Sequence, residues 1–465
     1  MLKKIRIALA AIFFVGITLL LVGIGQEWWG WMAKLQFLPA CLALNAVVII
    51  ALLLLTLLFG RVYCSVICPL GVFQDIVNWA SSLRKGKKRR FAFKKECKTL
   101  RYGILVLFIA ALVAGIQVLV ALIAPYSAYG RIVTSIVNPQ GWAVPVIAAV
   151  TLVLVVVLSW MGGRTWCNSV CPVGTTLGLL SRFAAFRPMI DTDKCKNCHG
   201  CEKMCKSSCI DSENKTVDMS RCVVCLNCIE NCKFDAIHYR FAYGKKSETG
   251  AAPKKVDDGK RAFLTGAMLV GSALTIEAQE MKVDGGLAEV IGKKAPKRSQ
   301  RLTPPGSEGE KNFYKHCTAC QLCVANCPNN VLRPSTDLEH LMQPKMDFDK
   351  GFCRPECTNC SQVCPAGAIK PISKEEKTQI HIGRAVVDLD LCVVNRDNVN
   401  CGNCASHCPA GAISMVRKDP DDPKSLRIPA VLEERCIGCG KCEYLCPSRP
   451  FSAIHVEGLV KHITD

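Results

Sequence analysis

Four stretches of this chain carry no charged residue: 7–25, 35–60, 102–130 and 132–163. Each is long enough for a helix that crosses about 30 Å of hydrocarbon. Only Arg131 separates the last two. They therefore read as a helix, a short outer turn with Pro125, Pro139 and Gly141, and a returning helix. After residue 187 the pattern changes to short apolar runs between polar and cysteine-rich turns, too short for long helices. A polar Lys/Gly/Ala-rich stretch (241–259), a further, shorter uncharged run (262–276) and a polar, Pro-containing stretch (281–311) follow. The short-run pattern then resumes to the C-terminus. The expected organisation is a four-helix membrane domain (1–187), a small domain (188–240), a linker with an apolar signal segment or fifth membrane helix (241–280), a polar linker (281–311) and a larger C-terminal domain (312–465).

Charge orients this plan. Lys3, Lys4 and Arg6 precede the first helix, ten basic residues and one acid fill Arg84 to Arg101, and Arg164, Arg182 and Arg187 follow the fourth helix. The opposite loops hold only Glu27, Lys34 and Arg131. Basic residues stay in the cytoplasm, so both ends of the membrane domain face it, and Trp28, Trp29 and Trp31 suit the outer interface. The formal charge of +20 is thus a membrane signature rather than a nucleic-acid one. Residues 301–465 carry 20 Lys+Arg and 20 Asp+Glu and contribute none of it.

The membrane half repeats itself. Gly60–Gly71 and Gly163–Gly174 share the pattern G-R-x-x-C-x-x-x-C-P-x-G, which includes Cys64 and Cys68 in one copy and Cys167 and Cys171 in the other. Each copy follows a predicted helix and sets two thiols one turn apart. Two duplicated hairpins would bring the four thiols together as candidate catalytic groups.

Of the 31 cysteines, 24 form six quartets. Cys195, Cys198, Cys201 and Cys205 read C-x-x-C-x-x-C-x-x-x-C. So do Cys222, Cys225, Cys228 and Cys232; Cys317, Cys320, Cys323 and Cys327; and Cys436, Cys439, Cys442 and Cys446. Two variants lie between: Cys353, Cys357, Cys360, Cys364, and Cys392, Cys401, Cys404, Cys408. This is the ligand spacing of bacterial ferredoxins, small α+β domains in which thiolates hold [4Fe–4S] clusters. Six quartets predict six clusters, with these 24 Cys as iron ligands. A disulfide scaffold would be short and secreted, and structural zinc uses paired rather than tripled cysteines.

In two-cluster ferredoxins the fourth Cys of each quartet serves the other cluster. Cys195, Cys198, Cys201 and Cys232 then hold one cluster, and Cys222, Cys225, Cys228 and Cys205 a second, with Cys209 a spare competitor for Cys205. In the C-terminal domain spacing alone leaves the exchange open. Lys206 and Lys233 stand where Pro often follows the last ligand, whereas the four C-terminal quartets end in Cys-Pro. Two of these continue as Pro-Ala-Gly-Ala-Ile, expected to lead into strands. The first His is His199, so the membrane helices offer no bis-His haem site. No nucleotide fingerprint, flavin site or hydrolytic triad is present. The simplest redox partner within the bilayer is a quinone.

On these motifs, residues 1–240 resemble the membrane quinol dehydrogenase component of periplasmic nitrate reductase systems. That family combines four helices, two C-x-x-x-C-P motifs and a cytoplasmic two-cluster ferredoxin. Residues 260–465 are similar to the exported four-cluster ferredoxin of the same systems, related in turn to methylamine-utilisation ferredoxins. The resemblance implies a fusion in the bacterial cytoplasmic membrane that passes electrons from the quinone pool, as menaquinol, to a periplasmic reductase or cytochrome. Lys260-Arg261-Ala-Phe-Leu264 and the following apolar run resemble a twin-arginine export signal, with Lys in the first Arg position. Export would leave the first ferredoxin cytoplasmic and the C-terminal polyferredoxin periplasmic. Two other readings are a polyferredoxin facing the cytoplasm that exchanges electrons with soluble ferredoxin, and a metalloenzyme maturation factor.

Overall fold

The computed structural model describes residues 2–82, 91–137, 139, 143–243 and 292–464. The apolar segment 262–276, with its Lys-Arg start, lies outside the described residues.

Helices Leu2–Val22 and Ala143–Gly162 pack on the shorter helices Pro69–Ser82 and Pro125–Val137, and Ala46–Phe59 and Lys98–Val113 pack on Pro172–Ser181, which together make the helical bundle. Their outward faces carry exposed Ile12, Val15, Val47, Ile50, Leu54, Val106, Ile109, Val150, Val153 and Val157. An apolar belt of this extent on a folded surface needs a lipid partner. Among the described residues, only Leu2–Val22 and Ala143–Gly162 are long and apolar enough to cross a bilayer unaided, or three spans if the bent pair Gln117–Ile123 and Pro125–Val137 counts as one.

The expectation of four long uninterrupted spans is corrected at two places. Stretch 35–60 breaks at Leu44, which is left-handed, and restarts at Asn45, whose side chain caps Val48 N. Stretch 102–130 breaks at Gly115 (φ 75°) and bends by 78° at Ala124. Arg131 is not in an outer turn. It sits fully buried inside helix Pro125–Val137 and donates to Ala121 O and Leu122 O. Those carbonyls end the preceding helix and have no partner within it, so a cation there both bonds them and meets the negative end of the helix dipole.

The five sheets among the described residues are two-stranded and antiparallel. In the first ferredoxin unit Phe186–Ile190 pairs with Ile237–Phe241, and Ile210–Asp211 with Thr216–Val217. In the C-terminal unit the pairs are Leu332–Pro334 with Pro344–Met346, Ile380–Val387 with Ile454–Thr464, and Ile413–Arg417 with Arg427–Val431. Of the two Pro-Ala-Gly-Ala-Ile segments, only the second enters a paired strand, at Ile413. After the first, Lys370 N bonds Gly306 O instead.

Gly306 belongs to a stretch expected to be a free linker. In its described part, 292–311, the chain is folded onto the C-terminal unit. Arg298 pairs with Glu443 at 2.7 Å, Ser299 N bonds Glu457, and Leu302, Thr303 and Ser307 are buried. Long-range partners make this polar stretch a strap, and nothing in its local composition announces them.

Candidate functional site

The two motif copies interlock. Gly60 (φ 74°) and Gly163 (φ 68°) turn the chain sharply at the ends of two bundle helices, a conformation that suits glycine. The following arginines, both fully buried, cross to the other copy. Arg61 Nη2 donates to Cys167 O at 3.2 Å, and Arg164 Nη1 donates to Cys64 O at 2.7 Å. The last glycine of each motif leaves room for this exchange: a Cβ on Gly71 would strike Arg164, and one on Gly174 would strike Arg61. Pro69 and Pro172 then open helices Pro69–Ser82 and Pro172–Ser181, where a missing N–H costs nothing.

Cys64, Cys68, Cys167 and Cys171 are all buried. Cys64, Cys68 and Cys171 share one hydrophobic core, and Cys167 is within electrostatic reach of all three. Gln74 Nε2 lies 3.1 Å from Cys167 Sγ, and Gly174 N lies 3.3 Å from Cys171 Sγ. Arg61 and Arg164 each stand 3.8 Å from the thiol of their own copy. The remaining bonds of Arg61 go to neutral acceptors, Asn168 Oδ1 and Ser220 O, and among the described residues no carboxylate pairs with it. A buried guanidinium with only neutral partners is costly. The chemistry of this donor set therefore suits an anionic thiolate group.

Arg164 is balanced differently. Its Nε lies 2.7 Å from Asp75, which also meets Lys206 at 2.5 Å and Arg6 at 3.5 Å. Burial opposes the Asp75 charge, but Arg164 and Lys206 overcome it and hold the carboxyl well below the usual range. Lys206 follows Cys205, so this network ties the ferredoxin to the membrane motif. Its carbonyl also accepts from Arg164 N at 2.8 Å. Sequence reasoning noted Lys206 only as a missing proline.

The ferredoxin cysteines gather around small cavities. One is lined by Cys195, Cys198, Cys201 and Cys232, and another by Cys205, Cys222, Cys225 and Cys228 with Cys209. This is the expected exchange, and Cys209 lies 3.5 Å from Cys205. The C-terminal unit repeats it between neighbouring quartets. Cys327 joins Cys353, Cys357 and Cys360; Cys446 joins Cys392, Cys401 and Cys404; Cys408 joins Cys436, Cys439 and Cys442. Cys364 is within electrostatic reach of Cys317, Cys320 and Cys323.

Backbone conformation shapes these cradles. Residues on both sides of the second Cys are left-handed in the four regular quartets: Asn197 and His199, Val224 and Leu226, Ala319 and Gln321, Gly438 and Gly440. Alternation of this kind turns successive N–H groups toward one concavity, which suits a cluster's anionic sulfur. Three residues after the fourth Cys the chain is again left-handed at Ser208, Asp235, Asn330, Gly367 and Gly411. Those types tolerate this region, a sequence signal that spacing alone does not use. The next N–H reaches the thiol in two cases, Ala236 to Cys232 and Ala412 to Cys408.

The tetrad lies between the two ferredoxin units. The first unit meets one end of the bundle: Lys3 pairs with Glu230 at 2.6 Å, Tyr239 donates to Phe59 O, and Arg101 donates to Ser220 O. The C-terminal unit meets the other: Asn326 donates to Leu20 O, Gln26 to Asn359 O, Gln117 to Lys315 O, and Ser127 to Thr318 O. Lys3 and Leu20 are separated by about 26 Å of helix. A single hydrophobic core, containing three of the tetrad thiols, has Cys225 packed on it from one unit and Cys320 from the other.

Known families match these parts. A 4Fe-4S binding domain family matches residues 43–90 and 144–189, once for each C-x-x-x-C-P copy. A 4Fe-4S dicluster domain family matches 316–368 and 399–449. The ferredoxin-type protein NapH of Escherichia coli is 30% identical over 223 residues, 45% of this chain and 72% of that protein. Its namesake in Haemophilus influenzae is 28% identical over 209 residues, 42% and 68%. The methylamine utilization ferredoxin-type protein MauM of Methylobacillus flagellatus is 33% identical over 151 residues, 31% and 63%. With membrane helices, [4Fe–4S] domains and these relatives together, the chain belongs to the family of ferredoxin-type NapH proteins, here joined to a polyferredoxin unit.

Proposed function

We propose that the chain is a quinol dehydrogenase. It would take electrons from a menaquinol-type quinol in the cytoplasmic membrane and relay them through [4Fe–4S] clusters, of which the chain would hold six, toward a periplasmic reductase or cytochrome. The observation that carries this reading is the tetrad's position, inside one core that touches a cysteine loop at each end. Bound clusters supply one-electron sites at the six cradles. The tetrad is the redox-active group at which quinol electrons join the relay, and Arg61 offsets its negative charge. Cys320 offers the first cradle on the C-terminal side. From there Cys353 N bonds Cys439 O at 2.9 Å, which links successive cradles. The unit ends at the cradle of Cys392, Cys401, Cys404 and Cys446.

The placement of the two units supports opposite membrane faces. A tag after residue 465 should bind antibody on intact spheroplasts, and one before residue 1 only after lysis. Equal protection of both tags would favour the cytoplasmic polyferredoxin instead.

Ligand exchange gives a sharper test. The purified protein should carry about 24 irons in the six ferredoxin cradles. Cys364→Ala should remove about four of them and erase the cluster of Cys317, Cys320 and Cys323, because a methyl group cannot replace a thiolate. Loss of the Cys353, Cys357 and Cys360 cluster in its place would mean that the quartets do not exchange.

A further inference from the structure

We infer that the chain has a second electron port, on its first ferredoxin unit, for a small acidic one-electron carrier of the cytoplasm. The inference rests on the opposite-face placement proposed above. A path from quinol to the C-terminal unit starts at the tetrad and leaves through Cys320. The cradle of Cys205, Cys222, Cys225 and Cys228 and that of Cys195, Cys198, Cys201 and Cys232 lie on the other side of the tetrad. For outward quinol oxidation both are a dead end.

Their construction is not that of a dead end. Cys225 packs on the membrane core, and Lys206, next to Cys205, reaches Asp75 beside the tetrad. At the other cradle Cys198 is exposed, and exposed Phe234 lines the same cavity. Lys196 lies over the Phe234 ring, and Lys194 and Lys233 are exposed on the same loops. Of this unit's carboxylates, Asp193 and Asp235 are exposed on the lysine loops, where the three lysines outnumber them, and four others are engaged within the protein. Glu202 accepts from Phe93 N and His199, Glu230 pairs with Lys3, Asp211 accepts from Asn214, and Asp218 pairs with Arg221. Three ammonium groups around an exposed ligand thiol and an apolar rim fit a carrier whose redox group lies at an acidic edge, where opposite charge raises the encounter rate.

The step balances as one electron. The reduced carrier is oxidised by one electron, that electron passes along the cradles and the tetrad, and an acceptor at the C-terminal unit is reduced by one. No proton or bond is exchanged. A membrane potential negative inside favours this direction.

The test uses the full chain in quinone-free proteoliposomes, oriented with the first unit outward and ferricyanide trapped inside. A small acidic [4Fe–4S] ferredoxin, reduced and freed of reductant, is added to the bulk. Trapped ferricyanide should be reduced at a rate that falls as salt rises. The triple variant Lys194→Glu, Lys196→Glu, Lys233→Glu should slow it about tenfold and leave reduction by menaquinol in quinol-loaded vesicles unchanged. Reduction by quinol without reduction by ferredoxin would overturn the second port. So would a charge-reversed variant as fast as wild type, or ferredoxin reduction of external ferricyanide only. Ferredoxin-driven reduction with no quinol-driven reduction would support the port and refute the quinol reading alone.

Discussion

Replacing Cys64 and Cys167 together by Ser should stop quinol-driven reduction of the C-terminal clusters while the six ferredoxin cradles keep their iron. The expected loss is at least about a hundredfold, or about 2.7 kcal/mol on the barrier. The two thiols are the first of each motif copy, and each residue's carbonyl accepts from the opposite arginine. Serine keeps those backbone bonds and nearly the same volume, so folding is expected to survive. What it removes is the polarisable sulfur between the two ferredoxin units. Arg61 would then face a hydroxyl in place of a thiolate. Iron content and cluster spectra report whether the cradles remain intact, and stopped-flow reduction by menaquinol reports the transfer. Wild-type transfer in a variant with full iron would make the tetrad a structural cap.

What was legible in the sequence follows from the range of the interactions concerned. Ligand spacing is local, so all six quartets and the duplicated motif stand out. The exchange in the first unit is expected from a general property of two-cluster ferredoxins, and in the structure Cys232 and Cys205 each line the cavity of the other quartet's first three cysteines. Which C-terminal quartets exchange is not local. Cys446 crosses 42 residues to reach Cys404, and only the folded chain shows it. Hydrophobicity located the bundle but not its breaks. Leu44 and Asn45 interrupt an apolar run by backbone conformation and capping, neither of which changes its polarity. Arg131 looked like a loop residue because a buried arginine needs carbonyl partners that hydropathy does not reveal. The strap over 292–311 and the Asp75–Lys206 pair escape sequence reading for one reason, since their partners lie far along the chain, most of those named more than a hundred residues away.

Asp75→Asn should destabilise the membrane domain by about 3–5 kcal/mol, the cost of leaving a buried ion network without its anion. Three cations converge on this carboxylate: Arg164, which is fully buried, Lys206, which is nearly so, and Arg6. Asparagine keeps the shape and loses the charge. Arg164 would stay buried with only neutral partners and the tetrad, and Lys206 would lose its hold between ferredoxin and bundle. The variant should therefore melt earlier, and its first ferredoxin unit should become more accessible to protease than in wild type. Asp75→Glu should recover part of the loss. The pH dependence has a definite sign. The folded carboxyl is held below its unfolded value of about 3.9 by Arg164 and Lys206 against the effect of burial. A depressed carboxyl contributes its full stability above the unfolded value and loses it only as pH falls through the folded one. The difference in melting temperature between wild type and Asp75→Asn should thus stay constant from about pH 5 to 8 and shrink only in stronger acid. A difference that closes between pH 7 and 5 would show that Asp75 titrates as an ordinary or raised carboxyl, and that the network is not the anchor between the two parts.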